Sequence, residues 1–119
     1  DGFYEWQTTP SGKICHYLTH DSYYIFAFAG IFSEWTDTHS GEYIKTVSVI
    51  TQSANPMMER IHNVKKRQPV ILDKKNLSGW LDNTTKFDVI LKDAYNVNLE
   101  SKIVVSPLKK QVYEYIKKK

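Results

Sequence analysis

Residues 1–18 read DGFYEWQTTPSGKICHYL and predict two β-strands joined by a turn. Aromatic and β-branched residues fill residues 2–6 and 13–18, as is typical of strands. Between them, residues 8–12 carry the proline, serine and glycine of a turn. Strands joined by so short a connection pair in antiparallel fashion, so this stretch indicates an antiparallel sheet.

The rest of the chain predicts further strands and short helices. Apolar or alternating segments predict strands at residues 24–32, 43–51, 70–72 and 102–105. Helices are predicted at residues 56–62, 76–81 and 84–94. The first begins with Asn55 as N-cap and Pro56 at its first position, and in the second Leu77 and Trp80 are expected to face the core. We expect an α+β fold, a mixed, largely antiparallel twisted sheet, barrel-like, with short packed helices.

The composition indicates a single domain, or part of one, that needs no disulfide. A chain of 119 residues is of that size. Cys15 is the only cysteine, which excludes an internal disulfide and favours a reducing, cytoplasmic compartment. The longest apolar run, residues 23–32, is much shorter than the roughly 18–20 residues of a membrane span, so no membrane association is expected.

The charged residues are distributed unevenly, although the net charge is only +3. Lys13 is the single basic residue before residue 43, in a segment that contains Asp1, Glu5, Asp21, Glu34, Asp37 and Glu42. Basic residues then cluster at 60–75 and 102–119. Such asymmetry is typical of proteins that bind nucleic acid or another polyanion. A solvated surface with a frayed basic tail is the alternative, because a basic patch is only the first test of nucleic-acid binding.

Glu5 is a candidate acid–base residue. Strand alternation puts Phe3 and Glu5 on one face of the first strand, and Tyr4 and Trp6 on the other. A carboxylate beside aromatic rings suits general acid–base catalysis. The alternative is a glutamate that faces solvent on an edge strand, as most strand carboxylates do.

His62 is the second candidate, at the end of the first predicted helix and beside the densest basic cluster. An imidazole in that position can move a proton or bind a phosphate. The alternative is a surface or capping histidine that only stabilises the end of the helix.

We expect no metal, no cofactor and no nucleophile within the chain. His16 and His20 are four residues apart with Cys15 adjacent, but a metal-binding pair at that spacing requires a helix, and these residues lie on a predicted strand. Cys15 follows Ile14 in mid-strand, where a buried thiol is expected. The sequence also has no Gly-rich phosphate loop and no Gly-x-Ser-x-Gly motif.

Several segments, in order, resemble the SRAP family, the SOS response-associated peptidases that process abasic sites in DNA. The segments are DGFYEW at 1–6, FAFAGIF with Glu34 and Trp35 at 26–35, TQSAN at 51–55, Ile61 with His62, and RQPVIL at 67–72. Their order and spacing match roughly the C-terminal two-thirds of the family domain. The chain also starts within a strand, with no Met or polar lead-in. We therefore expect residues 1–119 to be a partial SRAP domain that lacks its N-terminal segment and ends in a basic tail, residues 106–119.

The resemblance implies covalent capture of abasic sites in single-stranded DNA. In the family, a cysteine exposed at the mature N-terminus attacks the ring-opened aldehyde, and its α-amine and thiol close a thiazolidine. A Schiff base to the α-amine explains an AP-lyase activity, and the peptidase activity is the self-processing that exposes the cysteine. Cys15 does not match that cysteine in position or context. We therefore expect residues 1–119 alone to be inactive.

The resemblance also implies roles for five residues of this sequence. Glu5 matches an acid–base glutamate at the reacting centre, and His62 matches a histidine that assists ring opening and stabilises the abasic sugar. Thr51 matches a threonine near the lesion phosphate, Trp6 an aromatic residue that packs against DNA, and Arg67 an arginine that contacts phosphate.

The segment between His62 and Arg67 departs from the family pattern. The family has one residue between the histidine and the arginine, whereas residues 63–66 intervene here, and Gln68 replaces a methionine. If the longer segment displaces Arg67, Lys65 or Lys66 is the alternative phosphate contact.

We expect the intact protein to be a monomer whose partner is single-stranded DNA that contains abasic sites. Two other functions stay open. One is a non-catalytic DNA-binding module that keeps the SRAP fold. The other is a peptidase that acts on other proteins, against which stands the lack of a nucleophile–base pair in the sequence.

Overall fold

The computed structural model describes residues 1–108, which form nine β-strands and three α-helices. The strands are β1 (Gly2–Thr9), β2 (Gly12–His20), β3 (Ala27–Phe28), β4 (Gly30–Thr36), β5 (Tyr43–Val49), β6 (Thr51–Ser53), β7 (Arg67–Pro69), β8 (Ile71–Leu72) and β9 (Leu99–Val104). The helices are α1 (Pro56–Ile61), α2 (Leu77–Leu81) and α3 (Phe87–Tyr95). Every strand pairing in this part of the chain is antiparallel, which confirms the predicted α+β class. The predicted basic tail lies outside the described residues from position 109 onward.

The largest sheet has the order β1-β2-β9, so β1 lies at its edge. The β1–β2 register runs from Gly2 opposite Thr19 to Thr9 opposite Gly12. The turn is therefore shorter than the predicted residues 8–12. Gly12 has a φ of +131°, a backbone conformation that is accessible to glycine and strained for other residues. β9 pairs with the other side of β2 and begins three residues earlier than the predicted strand at 102–105.

Three residues, Ala29, Ile50 and Val70, form the three-strand junction at which three extended segments change partners. The Ala29 N–H donates to the Val70 carbonyl at 2.8 Å, the Val70 N–H to the Ile50 carbonyl at 2.9 Å, and the Ile50 N–H to the Ala29 carbonyl at 2.9 Å. On either side of the junction β3 pairs with β8, β4 with β5, and β6 with β7. The predictions of continuous strands at 24–32 and 43–51 were therefore wrong, because Ala29 and Ile50 each bond to two different neighbours.

The main core is built on the three-strand junction. Ala29 and Val70 are fully buried, and they pack with the buried side chains of Leu72 and, from α3, Ile90 and Ala94. Trp80 packs against this core as predicted, but Leu77 of α2 is 36% exposed, so the prediction that it faces the core was wrong.

A second, smaller core lies between β2 and α1, where Leu18, Met58 and Ile61 are buried.

The β4–β5 hairpin is exposed on both faces. Segment 43–51 alternates in polarity, yet the apolar side chains of both hairpin strands remain largely open to solvent, namely Ile31, Phe32, Trp35, Tyr43, Val47 and Val49. Alternation thus correctly indicated a strand but not a buried face. Within the described residues no helix is long and apolar enough to cross a membrane.

Helix α1 begins as the sequence predicts and ends one residue earlier, at Ile61. The Met58 N–H donates to Oδ1 of Asn55 at 3.0 Å, and Pro56 occupies the first position, where its missing N–H costs no hydrogen bond. His62 is the C-cap, and its N–H donates to the Met58 carbonyl at 2.7 Å. The helix therefore ends with the imidazole of His62 carried by a fixed backbone.

Replacing Ile90 with alanine should destabilise the fold strongly. Ile90 is 1% exposed and packs on the junction, so the cavity left by Ile90→Ala should cost about 2–5 kcal/mol of unfolding free energy. Val89→Ala is the matched control in the same helix, since Val89 is 43% exposed, and should change stability by no more than about 0.5 kcal/mol. Urea denaturation measures both values, and equal effects would show that α3 does not pack on the junction.

Candidate functional site

A cavity of about 410 Å³ opens over the edge strand β1. The β1–β2 hairpin and the segment after α1 supply most of its wall, whose residues are Glu5, Trp6, Thr8, Lys13, His62, Val64, Lys65 and Leu108. Four residues selected from the sequence, Glu5, Trp6, His62 and Lys65, thus line one cavity although their positions span most of the first half of the chain. A carboxylate and an imidazole in one cavity can exchange protons with a bound molecule.

Glu5 lies in the middle of the edge strand β1, and its carboxylate accepts a hydrogen bond from the backbone of the same strand. The Trp6 N–H donates to Oε1 of Glu5 at 3.0 Å. Since the bonds of an antiparallel ladder alternate in direction along a strand, and β1 has a neighbour on one side alone, half of its polar groups point away from β2. The cavity lies over this open side of β1, so Glu5 and Trp6 both reach it from opposite faces of the sheet.

The aromatic face of β1 follows the predicted alternation. The ring centroids of Tyr4 and Trp6 are 6.5 Å apart, and those of Tyr4 and Tyr17 are 5.1 Å apart. On the other face Phe3 packs toward the core beside Met58 and Ile61. Trp6 therefore has one aromatic neighbour in contact and still forms part of the cavity wall, where its indole can stack on a planar ligand.

His62 is held by one ring nitrogen and presents the other. Its Nδ1 lies 3.1 Å from the backbone N of Arg67 and 2.9 Å from the Arg67 carbonyl oxygen. Depending on the tautomer, Nδ1 accepts from that N–H or donates to that oxygen. Nε2 makes no hydrogen bond within the described residues, so it is the nitrogen that can exchange a proton in the cavity.

Asn63 fastens the segment after α1 along the edge of β1. The Thr8 N–H donates to Oδ1 of Asn63 at 3.0 Å, and Nδ2 of Asn63 donates to the Thr8 carbonyl at 2.8 Å. Nearby, Nε2 of Gln7 donates to the Arg60 carbonyl at 3.1 Å. One side-chain amide thus pairs with both polar groups of Thr8, as a neighbouring strand would, and fixes the segment that carries His62 and Lys65.

The structure distinguishes the two lysines that the sequence left as alternatives. Lys66 has a φ of +52°, and its Nζ lies 2.7 Å from Oε1 of Glu59, so its charge is used within the protein. Lys65 lines the cavity instead.

Thr51 and Arg67 lie together beside the cavity rather than in its wall. Nη2 of Arg67 donates to Oγ1 of Thr51, and the β6–β7 ladder brings their strands together. The backbone of Arg67 holds the imidazole of His62.

Gln68, the residue that replaces the family methionine, is buried. Its Oε1 accepts from the Asn55 N–H at 2.6 Å, and its Nε2 donates to the Ala94 carbonyl at 3.2 Å. The longer segment before Arg67 is therefore accommodated without separating Arg67 from His62.

His16 and Cys15 are internal residues of the β1–β2–β9 sheet. Oε1 of Gln7 accepts from Nε2 of His16 at 3.2 Å, and Nδ1 of His16 lies 2.8 Å from Oγ of Ser101. Cys15 is 4% exposed. Among residues 1–108 no three His, Cys, Asp or Glu side chains gather in a geometry that would hold a metal ion.

Lys13 and Asn63 belong to the site but were not selected from the sequence. Lys13 stood out only as an isolated charge, and it reaches the cavity because it lies opposite Thr8 in the β1–β2 ladder. Asn63 acts through a contact with Thr8, a residue 55 positions away. Neither role has a local signal, because both depend on which strands pair.

The family model for "SOS response associated peptidase (SRAP)" matches residues 1–115. The chain belongs to the SRAP family. It is 40% identical over 83 residues to the abasic site processing protein YoqW of Bacillus subtilis (strain 168), a match that covers 69% of this chain and 35% of YoqW. It is 32% identical over 101 residues to the abasic site processing protein HMCES of Gallus gallus, covering 69% of this chain and 29% of HMCES. The chain thus spans about a third of the length of these relatives.

Solved structures share the fold of this SRAP chain. A crystal structure of a protein from Bacteroides thetaiotaomicron superimposes with a TM-score of 0.77 at 27% identity, covering 92% of this chain and 48% of that protein. A protein from Bordetella bronchiseptica gives a TM-score of 0.70 at 21% identity, covering 89% of this chain and 52% of that protein. The strand arrangement described above is therefore that of an SRAP-like fold.

Asn63→Ala should loosen the wall of the cavity while preserving the fold. The change removes two hydrogen bonds to Thr8, each worth about 0.5–1.5 kcal/mol, so we expect a loss of about 1–3 kcal/mol and faster hydrogen exchange of the Thr8 amide. Asn98→Ala, at an exposed position, is the control and should leave both unchanged. NMR-detected exchange measures the effect, and an unchanged Thr8 rate would refute the clamp.

Cys15 should be unreactive in the folded protein. Burial raises the pKa of its thiol, and the thiolate is the form that reacts with alkylating agents. At a given pH near neutrality, Cys15 should therefore react with iodoacetamide much more slowly in the folded chain than in the urea-unfolded chain. The alkylation rate of the folded chain should also begin to rise at a higher pH than that of the unfolded chain. Intact-mass spectrometry measures the modified fraction. Equal rates for folded and unfolded chains would mean that Cys15 is accessible.

Proposed function

We propose that the intact protein is an abasic-site sensor that captures such sites in single-stranded DNA as a covalent crosslink. The observation that carries the proposal is the convergence of Glu5, His62 and Trp6 on one cavity over the edge of β1. The names of the SRAP relatives YoqW and HMCES, both abasic site processing proteins, support the coarser part of the proposal, a role at abasic sites.

The nucleophile is an N-terminal cysteine of the intact protein, supplied from outside residues 1–119. Cys15 does not serve, because it is buried and burial raises the pKa of its thiol. The α-amine of the N-terminal cysteine adds to the C1′ aldehyde of the ring-opened abasic sugar, and loss of water gives a Schiff base. The thiol then adds to the same carbon and closes the thiazolidine. The net reaction joins aldehyde and aminothiol and releases one water.

Glu5 and His62 move the protons of these steps. The Glu5 carboxylate accepts a proton as the amine adds, and returns it to the hydroxyl that leaves as water. Nε2 of His62 donates a proton to the sugar ring oxygen as the ring opens, while Nδ1 stays bound to the Arg67 backbone. Elimination from the Schiff base gives the associated AP-lyase activity, and self-processing that exposes the cysteine is the peptidase activity.

DNA is held by the groups around the cavity. The indole of Trp6 stacks on a base next to the lesion. Lys65 contacts a phosphate from the cavity wall, and Arg67 with Thr51 contacts a second phosphate beside it. The protein acts in the cytoplasm, a reducing compartment that fits the free, buried thiol of Cys15 and would keep the proposed N-terminal nucleophile reduced.

The complete protein that contains these residues should form a crosslink with a single-stranded oligonucleotide that carries one abasic site. A denaturing gel detects the crosslink, which should vanish when the N-terminal cysteine is changed. A wild-type protein that binds undamaged DNA normally but gives no shifted band would contradict covalent capture, and would indicate instead the non-catalytic DNA-binding module.

Glu5→Gln should slow crosslinking by roughly 10²–10⁴-fold, because it removes a general acid–base group, while DNA affinity changes little. Glu42→Gln is the matched control, an exposed carboxylate outside the cavity wall. Crosslinking time courses at saturating protein, with anisotropy for affinity, separate the two quantities. Equal losses of rate and affinity would count against an acid–base role.

His62→Ala should slow capture without unfolding the chain, since His62 caps α1 through its backbone and its side chain bonds only to the backbone of Arg67, an exposed residue, within the described part of the chain. Circular dichroism and the crosslinking rate together test this. A variant that unfolds would instead indicate a structural role for the His62 side chain.

A further inference from the structure

Two lysines from different parts of the sequence line the cavity, and both are positioned relative to Thr8 of β1. Lys13 lies opposite Thr8 in the β1–β2 ladder. Asn63 binds the N–H and carbonyl of Thr8 and lies two residues before Lys65. Both lysines line the cavity. Their placement on either side of one β1 residue is therefore set by the β1–β2 ladder for Lys13 and by the side chain of Asn63 for Lys65, and both lysines line the same opening.

The charges of Lys13 and Lys65 are not used within the described part of the chain. Lys45, Lys66 and Lys75 each lie within 4.0 Å of a carboxylate oxygen, whereas Lys13 and Lys65 form no such pair there. Among the residues that line the cavity Glu5 is the acidic one, and its Oε1 accepts the Trp6 N–H. The cavity wall thus offers two cations beside one carboxylate and an indole.

We propose that Lys13 and Lys65 together bind backbone phosphates of the DNA strand that crosses the cavity, so that Lys13 is a DNA-binding residue. The inference rests on the proposed function, since it names how that site holds its substrate. An ammonium group on a flexible stem binds phosphate as a point charge, independent of base sequence. With the phosphates held at Lys13 and Lys65, the abasic sugar lies toward Glu5 and the neighbouring base toward Trp6.

Salt dependence of DNA binding tests this pairing directly. Each phosphate neutralised on a single strand contributes a slope of about −0.7 to the dependence of log K on log salt concentration. Lys13→Gln and Lys65→Gln should each reduce the size of the slope by about 0.7, and the double variant by about 1.4. The probe is an undamaged single-stranded oligonucleotide, and fluorescence anisotropy with the complete protein gives K over a range of KCl concentrations.

Lys92→Gln is the matched control, because it removes the same charge from an exposed position on α3 outside the cavity. Its slope should equal that of the wild type. A Lys13→Gln slope equal to the wild-type slope would overturn the proposal, as would an equal reduction in Lys92→Gln, which would indicate a general charge effect. Thermal melting checks that each variant is folded, as expected for exposed lysines.

The same experiment separates this inference from the proposed function. A wild-type protein that binds undamaged DNA and loses slope in both lysine variants, but does not crosslink to abasic DNA, would support the lysine pair and reject covalent capture. A protein that crosslinks while Lys13→Gln keeps the full slope would support capture and reject the lysine pair. A wild-type protein that binds no DNA would reject both.

Discussion

Three backbone hydrogen bonds, from Ala29 to Val70, from Val70 to Ile50 and from Ile50 to Ala29, close a ring where three extended segments meet. Each buried bond fixes where a segment changes partners, and an unmade backbone bond in this core would cost about 1–3 kcal/mol. The ring directs β7 (Arg67–Pro69) onto β6 (Thr51–Ser53), which brings the Arg67 and Thr51 side chains together. The Arg67 backbone in turn holds His62, so the geometry of the junction reaches the cavity through one strand.

The open side of β1 supplies the other half of the site. An edge strand exposes unpaired N–H and C=O groups that can recruit another strand. In this chain side chains form hydrogen bonds with those groups. Glu5 accepts from the Trp6 N–H, and Asn63 bonds to both the N–H and the carbonyl of Thr8. The edge is thereby converted into a cavity wall that carries a carboxylate on one side and the His62–Lys65 segment on the other. Fold and site depend on the same backbone groups.

The parts of the structure that local sequence signals control were predictable. Asn55 and Pro56 marked the start of α1, and the turn and aromatic residues marked the β1–β2 hairpin. The breaks at Ala29 and Ile50 were not, because an apolar or alternating pattern continues through them and the partner exchange depends on distant strands. Glu5 and His62 were candidates from their sequence surroundings, and resemblance to SRAP proteins favoured the catalytic interpretation of both over the structural one. Asn63 and Lys13 join the site through long-range pairing with Thr8, which no spacing in the sequence records.

Covalent capture and the lysine pair both require that DNA bind at the cavity over β1. The chain contains three tryptophans, and they lie in different places: Trp6 in the cavity wall, Trp35 on the exposed β4–β5 hairpin and Trp80 against the core. Each indole N–H gives its own NMR signal, which reports on its surroundings during titration with a single-stranded oligonucleotide that contains a stable abasic analogue. We expect the Trp6 signal to shift while those of Trp35 and Trp80 stay in place. A shift of Trp35 with an unmoved Trp6 would contradict this expectation and place the DNA on the hairpin.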